Sequence, residues 1–269
     1  MPADADTVAT LAAQLLSARK YAGLDPTLVE GVLARELAKG RHGKAALKAA
    51  KTKLHQITSV YQTDELDQVA WLAEYGAQPD ADARRDLCHA AMRAHASTRE
   101  RLPILSEFYA TLLVDLPAAP RVLDLACGFN PLALAWMPLP PGYRYWACDI
   151  DRDQIAFLNA WFAAAQLPAT ARLHDLIHGD HTDLPPADVV LLLKTIPCLE
   201  QVDSQIGACL LADLRCQVAF VSFPTRSLGG RSRGMSAHYG EHFHQIAPPH
   251  YTVQRFEFAN ELVFRLDRD

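Results

Sequence analysis

The sequence predicts an α/β fold in which a Rossmann-like, seven-stranded sheet follows an all-helical N-terminal extension. Three observations lead to this prediction. The apolar segment 121–125 is typical of a buried strand, and a short turn with Ala126 and Gly128 follows it. A second predicted strand, 143–148, ends at Asp149. Predicted strands and helices alternate from there onward, whereas the preceding part of the chain shows only helical patterns.

The N-terminal part of the chain carries a series of helical patterns. Asp25-Pro26 and Thr63-Asp64 are typical of the residues at which a helix begins. Helices are predicted at 5–20, 26–39, 44–58, 64–75, 81–96 and 100–116. The breaker Leu-Pro-Ala-Ala-Pro at 116–120 then precedes the first strand. It predicts a domain boundary between 1–117 and 118–269.

The turn between the first two strands indicates the type of ligand. Doubly wound sheets bind an adenosine with a strand, a small-residue turn, a helix and a second strand that ends in an acidic residue. The acidic side chain accepts hydrogen bonds from the ribose diol. The turn lacks the G-x-G-x-x-G that brings a pyrophosphate close to the backbone. This argues against NAD or FAD and for a nucleoside without phosphates, of which S-adenosylmethionine (SAM) is the commonest. The alternative is an ordinary strand-to-helix turn in another α/β protein.

The remaining elements complete the sheet. Strands are predicted at 121–125, 143–148, 170–174, 187–193, 216–222, 251–258 and 261–266, and helices at 131–136, 151–166 and 199–213. The last two strands have no helix between them, and Ala259-Asn260 can turn a hairpin. Five parallel strands followed by an antiparallel hairpin outline the seven-stranded sheet of SAM-dependent methyltransferases.

Composition limits the class of protein. A chain of 269 residues, 50% of them hydrophobic, can form one large α/β domain and a smaller unit. It contains no apolar run of ~18 residues, and its first residues lack the pattern of a signal peptide. The six cysteines include no C-x-x-C pair and are interpreted as small buried residues in a reducing compartment. We therefore expect a cytoplasmic monomer that does not contact a membrane.

Positive charge is concentrated in one segment, although the net charge is −5. Residues 35–53 contain seven basic residues and one acid. Lys44, Lys48 and Lys51 recur at three- and four-residue spacing, which makes one helix face cationic. A solvated helix face is one interpretation, and a contact with a phosphate backbone is the other. The RNA contacts expected in this segment are Arg41, Lys44, Lys48, Lys51 and Lys53.

A second motif, at 189–200, joins a fully apolar strand to Lys194 at its carboxyl end, the edge that faces the ligand crevice. Catalytic motifs of methyltransferases commonly lie there, although this one is not the Asn/Asp-Pro-Pro-aromatic motif for amino groups. Pro197-Cys198 could supply a cysteine nucleophile, but no matched acid is recognisable. Histidines and aspartates also cluster at 174–183. They straddle a strand end and a polar loop rather than a helical i, i+4 pair, so no metal site is predicted.

A third motif, at 222–235, follows the fifth strand and is too long for a tight turn. It contains arginines, hydroxyl side chains and glycines, a composition suited to gripping anions, but not the Gly-Lys-Ser/Thr of a nucleotide P-loop. The alternative is a surface loop without function. We expect Arg226, Arg231 and Arg233 to contact an RNA backbone.

These motifs together resemble one known family. The segments 51–57, 95–103, 125–131, 194–201 and 222–235 look like the aminoglycoside-resistance 16S rRNA guanine-N7 methyltransferases, the Arm/Rmt and Sgm/Kgm group. The resemblance runs from about residue 20 to the end of the chain, and its last motif is very specific. It implies SAM-dependent methylation of guanine 1405 in the decoding site of the 30S subunit. It also implies that 1–117 docks on RNA and covers the cofactor.

The resemblance further implies roles for single residues. Arg101 would hold the SAM carboxylate, Asp149 the ribose, and Asp175 with Leu176 the adenine. The cofactor contacts implied are Tyr61, His95, Ala96, Ser97, Arg101, Ala126, Gly128, Asp149, Ile150, Asp175, Leu176 and Leu193. The residues implied at the target nucleotide are Lys194, Glu200, Arg231, Met235 and Glu261. Val202 stands where the family would have a glutamine.

The chemistry of the target explains why no catalytic pair is evident. Guanine N7 bears no proton and has an in-plane lone pair, so its methylation needs alignment and exclusion of water rather than a general base. N7 lies in the deep groove of A-form RNA, so the base is expected to be flipped out. The alternatives are a methyltransferase acting on another rRNA position and a non-catalytic ribosome-binding protein on the same scaffold.

Overall fold

The protein, described by a computed structural model at residues 5–58, 66–225 and 235–268, contains a seven-stranded sheet. Its strands are β1 (Arg121–Leu125), β2 (Arg144–Asp149), β3 (Ala169–Leu173), β4 (Val189–Leu193), β5 (Val218–Pro224), β6 (Tyr251–Glu257) and β7 (Glu261–Arg268). Their order in the sheet is β3-β2-β1-β4-β5-β7-β6. Strands β1 to β5 are parallel, and β7 is antiparallel to both β5 and β6. The predicted fold class is confirmed.

Helices precede and surround this sheet. They are α1 (Ala5–Leu16), α2 (Pro26–Ala38), α3 (Gly43–Thr58), α4 (Gln68–Ala77), α5 (Ala81–Ala91), α6 (Ala96–Arg101), α7 (Leu105–Leu112), α8 (Arg152–Ala164), α9 (Ile196–Leu199), α10 (Ile206–Asp213) and α11 (Met235–Ile246). Short 3₁₀ helices lie at Met92–Ala94, Leu102–Ile104, Asn130–Trp136 and His181–Asp183. Within the described ranges, no helix is long and apolar enough to cross a bilayer.

Several predicted helices are interrupted in the structure. The segment predicted as one helix at 100–116 contains the end of α6, a 3₁₀ turn with Pro103, and α7. Proline has no N–H for an α-helical hydrogen bond, which explains the interruption. The helix predicted at 131–136 is a 3₁₀ helix, and the one at 199–213 is divided between α9 and α10.

Two further differences concern helix starts. The start predicted after Thr63 falls largely outside the described residues, and α4 begins after Asp67, whose carboxylate accepts the Ala70 N–H at 3.0 Å. Helix α11 was not predicted. Its sequence mixes three histidines with a buried Gly240 and Phe243, so it shows too little apolar periodicity to indicate a helix.

The central strands are buried on both faces of the sheet. On β4, Val190 and Leu192 pack with α1, α2 and α10, whereas Val189 and Leu191 pack with α7 and α8 on the opposite face. This two-sided burial explains why the strand is a continuous apolar run rather than an alternating one. The carboxyl edge of the sheet thereby rests on a closely packed core.

The N-terminal helices attach directly to that edge. The Asp25 N–H donates to the Ile150 carbonyl at 2.8 Å, just after β2. Arg35 of α2 pairs with Asp203 at 2.5 Å, and the Lys53 ammonium donates to the Gln201 carbonyl at 2.6 Å. These contacts place α2 and α3 over the carboxyl ends of the strands.

A buried network of hydrogen bonds connects β1 and β2 with α6 and α7. Asp124 of β1 accepts hydrogen bonds from the Tyr145 hydroxyl at 2.6 Å and from Asn130 Nδ2 at 2.9 Å. Asn130 Oδ1 in turn accepts from Arg101 Nη1 at 2.8 Å and from the Tyr109 hydroxyl. Burial raises the pKa of Asp124 to about 7, because the ionised carboxylate is poorly solvated there.

The raised pKa of Asp124 predicts a pH dependence of stability. Between the unfolded pKa of ~3.9 and the folded pKa of about 7, the folded state binds more protons than the unfolded state. The contribution of Asp124 to stability is therefore greatest below this window and falls as the pH rises through it. Asp124→Asn cannot ionise. Its free energy of unfolding, relative to wild type, should rise by the order of 2 kcal/mol between pH 5 and 8, as measured by urea denaturation.

The exposed Asp86 supplies the control for this measurement. Asp86→Asn removes one exposed carboxylate by the same substitution, so it shows how much of the effect comes from the loss of a surface charge. Parallel pH profiles for wild type and Asp124→Asn would contradict the assignment of the titration to Asp124.

Candidate active site

A cavity opens at the carboxyl ends of β1, β2 and β4, the edge where the sequence predicts the ligand crevice. Its empty space, with the open mouth included, measures about 850 Å³. Its lining includes many of the residues predicted from sequence, namely His95, Ser97, Ala126, Gly128, Asp149, Ile150, Asp175, Leu176, Leu193 and Lys194. Helix α2 and the end of α3 contribute Leu28, Ile57 and Thr58 to the same wall.

The turn after β1 brings the backbone close to the cavity. Ala126 and Gly128 both have positive φ angles, 49° and 51°. A Cβ on Gly128 would lie 2.8 Å from Cε1 of His95. The left-handed backbone and the close imidazole together require glycine at this position.

Asp149 fastens that turn to the end of β2. Its Oδ2 accepts the Gly128 N–H at 2.8 Å, and its Oδ1 accepts the Ile150 N–H at 2.7 Å. Burial raises the pKa of Asp149, although the two backbone N–H groups counteract the rise. A carboxylate has more acceptor sites than these two bonds use, so Asp149 can also accept hydrogen bonds from a diol in the cavity.

His95 lies beside the same turn, with its ring against Gly128. Its Nδ1 is 3.0 Å from the Ser97 hydroxyl. Burial lowers the pKa of His95 to about 4, and the positive charges of Arg101 and Lys194 act in the same direction. The imidazole is therefore neutral at neutral pH.

The loop after β3 forms the far end of the cavity. Asp175 accepts the Ile177 N–H at 2.8 Å, and its other oxygen lies 2.8 Å from His178 Nδ1. The His178 ring packs on α2, where an ideal Cβ on Gly31 would lie 2.4 Å from it. These contacts explain part of the histidine and aspartate cluster seen in the sequence. Within the ranges that the structure describes, no group of three or more His, Cys, Asp or Glu residues is arranged to hold a metal ion.

Gln154 was not singled out from the sequence, yet it lines the cavity. It is 6% exposed, and its side chain approaches Asp149 closely enough to counteract part of the rise that burial causes in the pKa of that carboxyl. Its Nε2 makes no hydrogen bond of normal geometry among the described residues, so a donor of this amide is available to a polar ligand. Its position in the first turn of α8, three residues after the capping Asp151, was the only signal for it in the sequence.

Lys194 follows β4 with a φ of 58°, a conformation that is rare for a residue with a side chain. The Ser222 hydroxyl and carbonyl oxygens both accept its backbone N–H at 3.0 Å. Its ammonium lies 2.7 Å from a Glu100 oxygen and 3.5 Å from a Glu261 oxygen. The strained backbone thus directs a buried cation along the cavity wall.

Arg101 and Glu261 form a bidentate ion pair behind the wall of the cavity that contains Lys194. Arg101 Nε and Nη2 donate to the two Glu261 oxygens at 3.0 and 2.7 Å, and the Ser222 hydroxyl donates to Glu261 at 2.5 Å. Glu261 was expected to face the target nucleotide. The side chain is fully buried between Arg101 and Lys194, and its contact with the target nucleotide stays a prediction. The expected contact of Arg101 with a ligand carboxylate stays a prediction, since Arg101 is buried and does not line the cavity.

The remaining predicted site residues lie elsewhere. Glu200 contacts His242 Nε2 through both carboxylate oxygens, at 2.8 and 2.9 Å, and Met235 is the half-buried first residue of α11. Their contact with the target nucleotide stays a prediction. Ala96 is buried beneath the cavity wall. Tyr61, Arg226, Arg231 and Arg233 lie outside the described residues.

The predicted RNA contacts of α3 divide into two groups. Lys44, Lys48 and Lys51 line an open groove between α1 and α3 together with Tyr21 and His55. We call this surface the lysine groove. By contrast, Arg41 pairs with Glu36, and Lys53 binds the Gln201 carbonyl. The cationic face of α3 that lines the groove therefore consists of Lys44, Lys48 and Lys51.

Comparison with known proteins identifies relatives over nearly the whole chain. The family described as ribosomal RNA methyltransferase (FmrO) matches residues 17–265. A Frankia casuarinae protein named 16S rRNA (guanine(1405)-N(7))-methyltransferase is 39% identical over 93% of this chain and 90% of its own length. A Micromonospora echinospora protein of the same name is 35% identical over 94% of both chains.

Solved structures show the same relationship. The 16S rRNA methyltransferase RmtF in complex with S-adenosyl-L-homocysteine has a TM-score of 0.83 and 36% identity, covering 98% of this chain and 99% of its own. The 16S rRNA methylase RmtB has a TM-score of 0.78 and 27% identity, with complete coverage of both chains. The fold, the cavity and these matches agree, and the chain belongs to the FmrO family of ribosomal RNA methyltransferases.

Proposed function

We propose that this chain uses SAM to methylate N7 of guanine 1405 in the 16S rRNA of the 30S subunit. One observation carries the proposal. The glycine turn after β1 is tied to Asp149 beside a cavity suited to a nucleoside, and the turn is not one that cradles a pyrophosphate. The named activity of relatives that cover nearly the whole chain supplies the target.

The residues of the cavity fit SAM. Asp149 would accept hydrogen bonds from the ribose hydroxyls, and the buried Gln154 amide would donate to an acceptor on the same ligand. Asp175 and Leu176 would hold the adenine at the far end of the cavity, against apolar side chains such as Leu28. This assignment gives the Nε2 of Gln154 an acceptor in addition to the nearby Asp149 carboxylate.

The charges around the cavity suit a cationic cofactor. SAM supplies an electrophilic methyl group on a positively charged sulfur. His95 is neutral at neutral pH and so adds no repulsion. The buried cations Arg101 and Lys194 are balanced by Glu261 and Glu100. The wall therefore carries little net positive charge.

The acceptor chemistry requires positioning rather than proton removal. Guanine N7 presents a lone pair without a proton, so the residues of the wall need only hold the base in line with the methyl group and exclude water. Lys194 is the predicted target residue that both lines the cavity and is rigidly held. Its fixed backbone would keep the flipped base in a single orientation.

The lysine groove would bind the phosphate backbone near the target. Lys44, Lys48 and Lys51 project from one side of α3, while the end of that helix reaches the cavity. Because α3 contributes to both the lysine groove and the cavity, RNA bound in the groove would lie at a fixed distance from the active site. The proposed partner is the assembled 30S subunit, so the proposed location is the cytoplasm.

The proposal predicts both the modified nucleotide and a phenotype. Subunits from cells that express this chain should carry N7-methylguanine at position 1405, detected by reduction and strand cleavage followed by primer extension. N7 methylation adds a positive charge and a methyl group to that edge of the base. It should therefore confer resistance to gentamicin and kanamycin, whereas apramycin sensitivity should remain. A modified nucleotide elsewhere, or equal resistance to apramycin, would assign another target.

Asp149 is predicted to bind the SAM ribose. Asp149→Asn should weaken SAM binding by roughly 1.5–3 kcal/mol, the scale of a hydrogen bond to a charged group, as measured by titration calorimetry. The single oxygen of Asn can keep one of the two backbone hydrogen bonds, to Gly128 or to Ile150, so the turn should be weakened while the fold persists. Asp86→Asn, on the exposed face of α5, is the matched control and should bind SAM normally. Normal affinity in Asp149→Asn would remove the ribose assignment.

The lysine groove is predicted to bind the subunit and not the cofactor. Lys44→Glu combined with Lys48→Glu should raise the apparent KM for 30S subunits at least tenfold, with SAM affinity unchanged. The effect should shrink at high salt, because the lost contacts are electrostatic.

Arg144 and Arg215 provide a control of equal charge. Both are exposed, and both lie near the amino-terminal edge of the sheet, opposite the cavity. Reversing them should leave the KM for subunits close to that of wild type. An equal rise in both double variants would show that net charge, and not the groove, determines docking.

A further inference from the structure

Glu100 holds a position that neither the sequence motifs nor the cavity assigned. It lies on α6, and its Oε2 accepts a hydrogen bond from the Lys194 ammonium at 2.7 Å. Its side chain is 29% exposed, whereas that of Lys194 is 1% exposed. No described residue donates a hydrogen bond to its Oε1. A carboxylate that pairs with the buried lysine thus remains open to solvent beside the active site.

The need to neutralise the Lys194 ammonium does not by itself explain why a carboxylate is present at position 100. The fully buried Glu261 already lies 3.5 Å from the Lys194 ammonium. The Glu100 backbone is also held, because Asn260 Nδ2 donates to its carbonyl at 3.1 Å. The carboxylate is therefore fixed in place although the buried lysine has a second anion.

The order of these groups along the wall matches the edge of a guanine. Going around the base from N7, the next groups are the O6 acceptor, the N1–H donor and the N2 amino donor. N7 must face the cavity that holds the methyl donor. Lys194 lines that cavity, and Glu100, its partner, does not. A base with N7 toward the cavity would turn its N1–H and N2 donors away from the methyl donor, toward the side where the Glu100 carboxylate is open to solvent.

We propose that Glu100 selects guanine by accepting hydrogen bonds from N1–H and the N2 amino group. An ionised carboxylate only accepts hydrogen bonds, which matches two adjacent donors. Adenine presents an acceptor at N1 and has no amino group at C2, so it offers Glu100 neither donor. The inference rests on the proposed guanine target and adds the residue that distinguishes this base from others.

The experiment uses 30S subunits reconstituted with guanosine or with inosine at position 1405. Inosine keeps O6 and N1–H but lacks the N2 amino group. Wild type should prefer guanosine in kcat/KM by roughly tenfold or more, the scale of one hydrogen bond to a charged group. Glu100→Gln should lower kcat/KM on guanosine and bring the guanosine-to-inosine ratio close to one, because its amide places a donor against the amino group. Glu100→Ala should also reduce the ratio, with Lys194 still beside Glu261.

SAM affinity and the exposed Glu107 of α7 provide the controls. Both Glu100 variants should bind SAM as wild type does, and Glu107→Gln should keep both the activity and the ratio. A Glu100→Gln enzyme that retains the wild-type ratio, whether active or slowed equally on both substrates, overturns the inference. So does loss of SAM binding in both variants, which would make Glu100 a structural partner of the cavity wall. If wild type methylates neither subunit, the proposed target itself has failed.

Discussion

The ion pair between Arg101 and Glu261 is the interaction on which the arrangement of the site depends. Arg101 ends α6 in the helical region and Glu261 begins β7, so one buried contact joins segments 160 residues apart in the chain. Removing one partner of such a pair costs about 3–5 kcal/mol, because the other charge is left buried without compensation. The two side chains also connect outward, through Asn130 to β1 and through Lys194 to β4. The wall beneath the cavity is therefore a single polar network.

This network reconciles a charged active site with a close-packed sheet. Each cation in it has an anion within hydrogen-bonding or ion-pair distance, and Asp124 at its base can remain protonated near neutral pH. The wall thus provides directional groups without a large net charge. A reaction that moves a positive charge from sulfur to a base nitrogen suits such a wall, because neither the reactant nor the product is strongly repelled.

The sequence predicted the elements whose signals are local. The strands of the sheet were recognisable because two-sided burial requires apolar runs, and the turn between β1 and β2 was recognisable from Gly128 and Asp149. Contacts between distant segments carry no such signal. The burial of Glu261, the open carboxylate of Glu100 and the buried amide of Gln154 emerge only when separate helices and strands meet. Helix α11 was missed because its histidines obscure the apolar face that the core selects.

The contact between Gly31 and His178 has a consequence for how this chain can diverge. The imidazole occupies the space that any larger residue at position 31 would need, and the same imidazole holds Asp175 at the end of the cavity. A substitution in α2 and a substitution in the loop after β3 are consequently not independent. The helical extension and the loop after β3 are thus coupled, because a larger residue at position 31 would displace the imidazole that holds Asp175.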